Sequence, residues 1–273
     1  MNLKQKSWAL RKVALDLVYR AKTGHIGGDF SVIDILNVLY NAHMNVTPET
    51  FATPEHDRFV LSKGHSVEAL YAVLADKGFL TGRELETFSR FGTKLIGHPN
   101  NKIPGIEVNS GSLGHGLSVT AGMALAGKMD GASWRAYVVM GDGELAEGSV
   151  WEGAMLAGHY KLDNLTAVVD RNRLQISGGT EDVMAQDDQR ARWESFGWNV
   201  LETDGNDVDA LDSAFTRAKA CKGKPTMIIA NTTKGCGVSF MENQAGWHHR
   251  VPTEEEYNRA VAELAEKEAA CNG

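Results

Sequence analysis

The segment Val138-Val139-Met140-Gly141-Asp142-Gly143-Glu144 runs from apolar residues into a carboxylate held between two glycines. A strand ending this way lets its backbone and one acid approach a ligand closely, because glycine puts no Cβ in the way. Thirty positions after Asp142, a second apolar run, Leu165–Val169, passes through Asp170 and Arg171 to Asn172. An Asp carboxylate, an Asn amide oxygen and a backbone carbonyl are hard donors; two diphosphate oxygens and a water would complete an octahedral Mg2+ site around them. Capping of the following helix is the alternative role for Asp142, and the Gly-Asp-Gly tripeptide alone leaves it open. A strand, Gly-Asp-Gly, a helix and then a strand ending at Asn is a more specific pattern. The histidines offer a second chemistry, since imidazole moves protons near neutral pH. His25, His65, His98 and His248 stand in glycine-punctuated loops, whereas His43, His56 and His159 do not. None has zinc-site spacing with cysteine partners.

The elements that must position these residues can be read from the apolar periodicity. Gln5–Lys22 predicts an amphipathic helix ending at Thr23-Gly24. A second, deeply buried helix is predicted to begin near Ser31, with Asp34 as its capping-box partner. Asp57–Ser62 reads as a strand leading into a helix over Val67–Lys77 that Gly78 closes, and Thr81 with Glu84 forms another capping box. After an irregular stretch from 92 to 116, Leu117–Lys128 reads as a helix of small residues. Strands at Arg135–Met140, Leu165–Asp170, Trp198–Glu202 and Thr226–Asn231 then alternate with helices at Val150–Tyr160, Asp188–Phe196 and Asp207–Cys221. From Thr253 a charged, solvent-facing helix is expected. Short apolar strands alternating with helices predict an α/β fold: a single domain over 1–273, with a mainly parallel sheet covered by helices on both faces. Ligands bind such sheets beyond the carboxyl ends of the strands. The glycine-rich stretches at 63–65, 141–143, 171–179 and 234–237 fall there.

Composition removes several function classes. The net charge is −7 with no basic tract, which argues against a nucleic-acid or anionic-membrane partner. No apolar run is long enough for a membrane span. Three cysteines without a CxxC pair fit a reducing, cytoplasmic setting.

Gly-Asp-Gly followed by Asn resembles the fingerprint of thiamine-diphosphate enzymes, and further motifs narrow the resemblance to the transketolase family. Thr23-Gly24-His25-Ile26-Gly27 resembles its TGHxG element, Leu61-Ser62-Lys63-Gly64-His65 its LSxGH strand end, and Gly97-His98-Pro99 its GHP. Gly111-Ser112-Leu113-Gly114-His115-Gly116 resembles its glycine-rich loop, Gly141 through Gly148 its GDGxxxEG, and Trp247-His248 its late histidine region. These matches run in order from about residue 20 to 255.

The resemblance implies a thiamine-diphosphate-binding fold of the diphosphate-holding type. It also implies a cofactor, thiamine diphosphate, and Mg2+, for which Mn2+ or Ca2+ can substitute. Asp142, Asn172 and the Leu174 carbonyl would hold the metal. Gly111, Leu113, Gly141, Gly143, Glu144, Asn172, His65 and His248 would surround the cofactor. His25, His65, His98 and His248 would serve proton transfer, and Glu147 would link paired active sites across a subunit interface. The two-carbon ketol transfer implied here breaks one C–C bond and forms another, moving protons on and off oxygen at each stage. His115 stands where the long form of the family carries Gln, and His249 is ambiguous by adjacency. Gly28-Asp29-Phe30-Ser31 resembles the short, split form rather than the Ala-Pro-Met of the long form.

Transketolases run well over twice this length, and the remainder holds the domain that grips the aminopyrimidine ring. The expectation is therefore an N-terminal, diphosphate-binding subunit working with a separate C-terminal subunit of about 300 residues, in an α2β2 assembly on sugar phosphates. Alternatives are the α subunit of a 2-oxo acid dehydrogenase type enzyme, a specialised subunit for a branched or sulfonated sugar, and a non-catalytic binding module.

Overall fold

Runs of consecutive apolar residues build the central sheet. In the computed structural model, residues 1–271 are described; Asn272 and Gly273, the end of the expected 1–273 domain, lie outside the described residues. The chain opens with helices α1 (Leu3–Ala21) and α2 (Ile26–Val38), strand β1 (Arg58–Leu61) and helices α3 (Val67–Asp76), α4 (Gly82–Leu85) and α5 (Gly116–Met129). It continues through β2 (Ala136–Gly141), α6 (Gly148–His159), β3 (Leu165–Arg171) and a short hairpin, β4 (Leu174–Gln175) with β5 (Gly178–Gly179). Helices α7 (Thr180–Val183) and α8 (Gln189–Ser195), strand β6 (Asn199–Asp204), α9 (Val208–Ala220), β7 (Thr226–Asn231) and α10 (Glu254–Ala270) follow.

Five strands pair in the order β1-β2-β3-β7-β6, all parallel. Tyr137, Val139, Val168 and Ile228 point to one core, shared with α1, α2, α3 and α9. Ala136, Val138, Met140, Ala167, Val169 and Ile229 point to the other, beneath α5, α6 and Trp193 of α8. Side chains alternate across a strand, and with both faces covered these strands have no polar side to show.

The architecture matches the expected α/β sheet, and the capping box at Thr81 and Glu84 is present. Three local readings change. The second helix begins at Ile26, not Ser31, with His25 as its N-cap. Ser31 and Asp34 are interior and buried: the Ser31 hydroxyl meets Asp170 at 2.6 Å, while Asp34 pairs with Arg11. Gly27 and Gly28 are weak helix formers, so propensity concealed a first turn that burial stabilises. The strand expected at Trp198–Glu202 spans Asn199–Asp204. The C-terminal helix is not wholly solvent-facing, since Ala260 and Leu264 are buried in the core with α1 and Tyr257 stacks on Tyr19 at 4.1 Å.

Candidate active site

A cleft of about 330 Å3 opens at the carboxyl ends of β1, β2 and β3, lined by His25, Lys63, His65, Gly111, Leu113, Gly141, Asp142, Gly143, Glu144, Asn172, Leu174, Lys234 and His248. Parallel strands deliver this convergence: their tips lie side by side although their sequences are far apart.

The Asp142 carboxylate, at the tip of β2, accepts from Gly143 N (2.9 Å) and from Arg173 N beyond β3, tying the two strand ends together. It therefore caps the short turn after β2 and also faces the cleft, so the two roles left open by sequence coexist. Asn172 Oδ1 accepts from Leu174 N at 3.1 Å, and Arg173 between them takes φ +63°, the left-handed turn that brings the Leu174 carbonyl round. One carboxylate, one amide oxygen and one carbonyl thus share a small space, a hard-oxygen set suited to Mg2+. Among the described residues no group of three or more His, Cys, Asp or Glu converges as a metal site. Burial and the nearby Asp170 push the Asp142 carboxyl up to about 6, and a cation at this point would reverse that.

Two buried lysines, each about 1% exposed, complete the floor. Lys63 ion-pairs with Asp170 and donates to Gly28 O; Asp170 also accepts from Ser31 and Thr232. Among the described residues Lys234 forms no ion pair. Its ammonium meets His248 Nδ1 at 2.9 Å and Leu174 O at 3.5 Å, and burial, with Lys63, lowers it to about 8 against the opposing pull of Asp170 and Asp142. A buried ammonium with no acid in contact is costly, so the cleft is suited to an anion. These residues fit a diphosphate: Lys234 would face its charge, and Asp142, Asn172 and the Leu174 carbonyl would hold an accompanying cation.

Five imidazoles gather above. The His25 ring centroid lies 5.2 Å from His65, 6.4 Å from His98, 5.5 Å from His248 and 4.5 Å from His249. Burial and the surrounding lysines and imidazoles lower His25 to about 4 and His248 to about 3, and depress His65 further. All three are neutral at pH 7. Lys234 donates to His248 Nδ1, so His248 carries its proton on Nε2 and can donate from there. His25 Nδ1 is buried and meets no partner among the described residues.

The glycines are space-making. Gly111 takes φ +137°, and a Cβ there would lie 2.5 Å from the His98 ring. A Cβ on Gly28 would stand 2.8 Å from Ser66 Oγ and 3.9 Å from His65 Nε2.

The remaining expected residues divide. Glu144 lines the cleft, but its carboxylate accepts from Ser62, Gly114 N (2.8 Å) and Gly141 N (3.1 Å), acting as a latch between loops. Glu147 is exposed outside the cleft, at the N-cap of α6 beside Gly114. His115 is exposed with its Nδ1 at Leu113 O, and takes no part in the imidazole cluster. His43 pairs with Asp212 and His56 with Glu107, away from the cleft. Sequence reasoning passed over Lys63, Lys234 and Asp170, although Lys63-Gly64 and Lys234-Gly235 at strand ends were signals of an anion site.

Residues 4–267 match the family described as transketolase, thiamine diphosphate binding domain. An apulose-4-phosphate transketolase subunit of Phocaeicola vulgatus is 51% identical over 266 residues, covering 97% of this chain and 95% of that one. The 6-deoxy-6-sulfo-D-fructose transketolase subunit SqwG of a Clostridium species is 42% identical, covering 99% and 98%. The transketolase structure from Campylobacter jejuni superposes with a TM-score of 0.92 at 31% identity, over 97% of this chain and 43% of that one. The chain therefore belongs to the transketolase family, through its thiamine-diphosphate-binding domain.

Proposed function

We propose that this chain is the diphosphate- and metal-binding subunit of a two-chain transketolase, moving a two-carbon ketol unit from a ketose phosphate to an aldose phosphate. The observation that carries this reading is the Lys234 ammonium, in no ion pair, beside the Asp142, Asn172 and Leu174 oxygens and under a roof of neutral histidines. Asp142, Asn172 and the Leu174 carbonyl would hold Mg2+, with Mn2+ or Ca2+ as substitutes. Lys63, Lys234 and the His248 Nε2–H would balance the diphosphate. When bound, thiamine diphosphate supplies the carbon centre and electron sink for C–C cleavage and formation. His25, neutral at working pH, accepts a proton from a sugar hydroxyl and returns it to a carbonyl oxygen, while His98 and His65 hold the sugar's oxygens.

A second polypeptide carrying the pyrimidine-gripping half is supported by the pattern of lengths. Relatives that are themselves named as transketolase subunits are covered over 95–98% of their length, whereas the solved transketolases are covered over about 43–46%. An α2β2 arrangement with Glu147 at the interface is consistent with its exposure. The three cysteines are free and half-buried, which suits a reducing cytoplasm; no described helix is long and apolar enough to cross a membrane. The names of its relatives favour transketolase over a 2-oxo acid dehydrogenase type enzyme, and at 51% identity they favour apulose 4-phosphate first among specialised sugars.

Isothermal titration of thiamine diphosphate with and without Mg2+, followed by ketol transfer from a panel of ketose phosphates with and without the candidate partner, tests the reading. Metal-dependent binding and partner-dependent turnover are expected. Turnover by this chain alone would overturn the two-chain arrangement, and metal-independent binding would overturn the site.

A further inference from the structure

Two acids outside the cleft are as deeply buried as any residue in the protein. Asp29, in the first turn of α2, and Glu68, in the first turn of α3, are both 0% exposed. Their carboxyl groups act on each other. Ala69 N donates to Asp29 Oδ1 at 3.1 Å; Asp29 Oδ2 and both Glu68 oxygens meet no donor among the described residues. Among the described residues no cation pairs with either acid. Lys63 acts on Asp29 only through space, its ammonium being engaged with Asp170 and Gly28 O. Tyr71, one turn along α3, donates its hydroxyl to Ile96 O at 2.8 Å, and α1 presents Val18. Two neighbouring carboxylates in such an interior do not both ionise.

The pair also sits beside the imidazole cluster. A Cβ on Gly24, the residue before His25, would lie 2.6 Å from Glu68 Oε1. Helix α2 starts directly after His25, and α3 starts two residues after His65. Whatever fixes the first turns of these helices relative to one another also fixes those two rings.

We propose that Asp29 and Glu68 share one proton in a carboxylic acid–carboxylate hydrogen bond that ties the first turns of α2 and α3 together and thereby sets His25 against His65. The shared proton stands on the packing alone; its value to catalysis rests on the transketolase reading. The residual negative charge faces two helix N-termini, where it is favourable. Asp29 and Glu68 are positioning residues that touch no substrate. Burial and mutual repulsion hold the pair's proton well above the ordinary carboxyl range. An unfolded chain would lose that proton near pH 4, so the clamp's contribution to stability is complete in acid and declines as pH rises until the proton leaves.

The infrared spectrum of the intact protein at pH 6, minus that of Asp29→Asn and of Glu68→Gln, reads the proton directly. Each amide keeps a hydrogen bond to its partner without a shared proton, so both variants are expected to lose one protonated-carboxyl band. A difference spectrum that shows no lost carboxyl band for either variant overturns the proposal. Positioning is read separately by ketol transfer with the partner chain present: Asp29→Ala is expected to lower kcat about tenfold to a hundredfold, with Asp29→Asn restoring most of it. Equal activity of Asp29→Ala and the parent overturns the positioning role. A parent that turns over no sugar phosphate overturns the transketolase reading and leaves the infrared result unaffected.

Discussion

Two buried cations show the difference between a group that holds the fold and one that awaits a ligand. Arg11 lies between α1 and α2 with every reach of its guanidinium answered: Asp34 bidentately at 3.1 and 2.6 Å, Phe30 O at 2.8 Å, Cys236 O at 3.1 Å. Asp34 is further satisfied by Asn206 at 2.9 Å. Lys234 is equally buried, yet has an imidazole and a distant carbonyl for partners. The acid holds Arg11 above its ordinary value, while burial, with no acid in contact, lowers Lys234 to about 8. A satisfied buried charge fixes geometry; an unsatisfied one marks the place where a counter-charge belongs.

That contrast can be broken or sharpened in four ways. The largest effect belongs to Asp142→Ala, which removes the sole carboxylate of the hard-oxygen set. Metal-dependent binding of thiamine diphosphate, followed by calorimetry, is expected to weaken by about 100-fold or more, with the fold intact by circular dichroism. His25→Ala comes next: cofactor affinity should stay within a few-fold while kcat falls about 10²–10⁴-fold, and steady-state kinetics separates the two.

The third test sets the two cations against each other. Lys234→Met should weaken cofactor binding about 10- to 100-fold without loss of stability in denaturant, because it removes an uncompensated buried charge. Arg11→Met strands Asp34 and should cost about 3–5 kcal/mol in the same unfolding experiment. Equal destabilisation by both would erase the distinction.

The smallest effect is a pH slope. The folded values of His25 and His248, about 4 and 3, lie below the ordinary imidazole value near 6.5. The unfolded chain therefore takes up protons first on acidification. These two histidines contribute no loss above about pH 6.5, and a progressive loss of stability as pH falls from there through their folded values. His25→Gln should flatten part of that slope in thermal melts recorded from pH 7 to 4.

Much of this was legible in the chain. The valine, isoleucine and alanine runs announced strands, and the Gly-Asp-Gly and Asn tips were recognisable because a ligand-binding strand end has strict local needs. The start of α2 was not, since Gly27-Gly28 reads as a breaker and only burial against α1, α3 and β3 makes it helical. Nor did adjacency reveal that His249 joins the cluster at 4.5 Å from His25 while His115 stays outside.

The sequence by itself determined the kinds of element and the kinds of donor, because strand periodicity, capping and close backbone approach act over a few residues. Only the tertiary structure decided which charges meet. Lys63, Asp170 and Lys234 come together because β1, β3 and β7 lie in one parallel sheet with their tips level. Whether a buried charge finds a partner there depends on strand order, which no local spacing encodes.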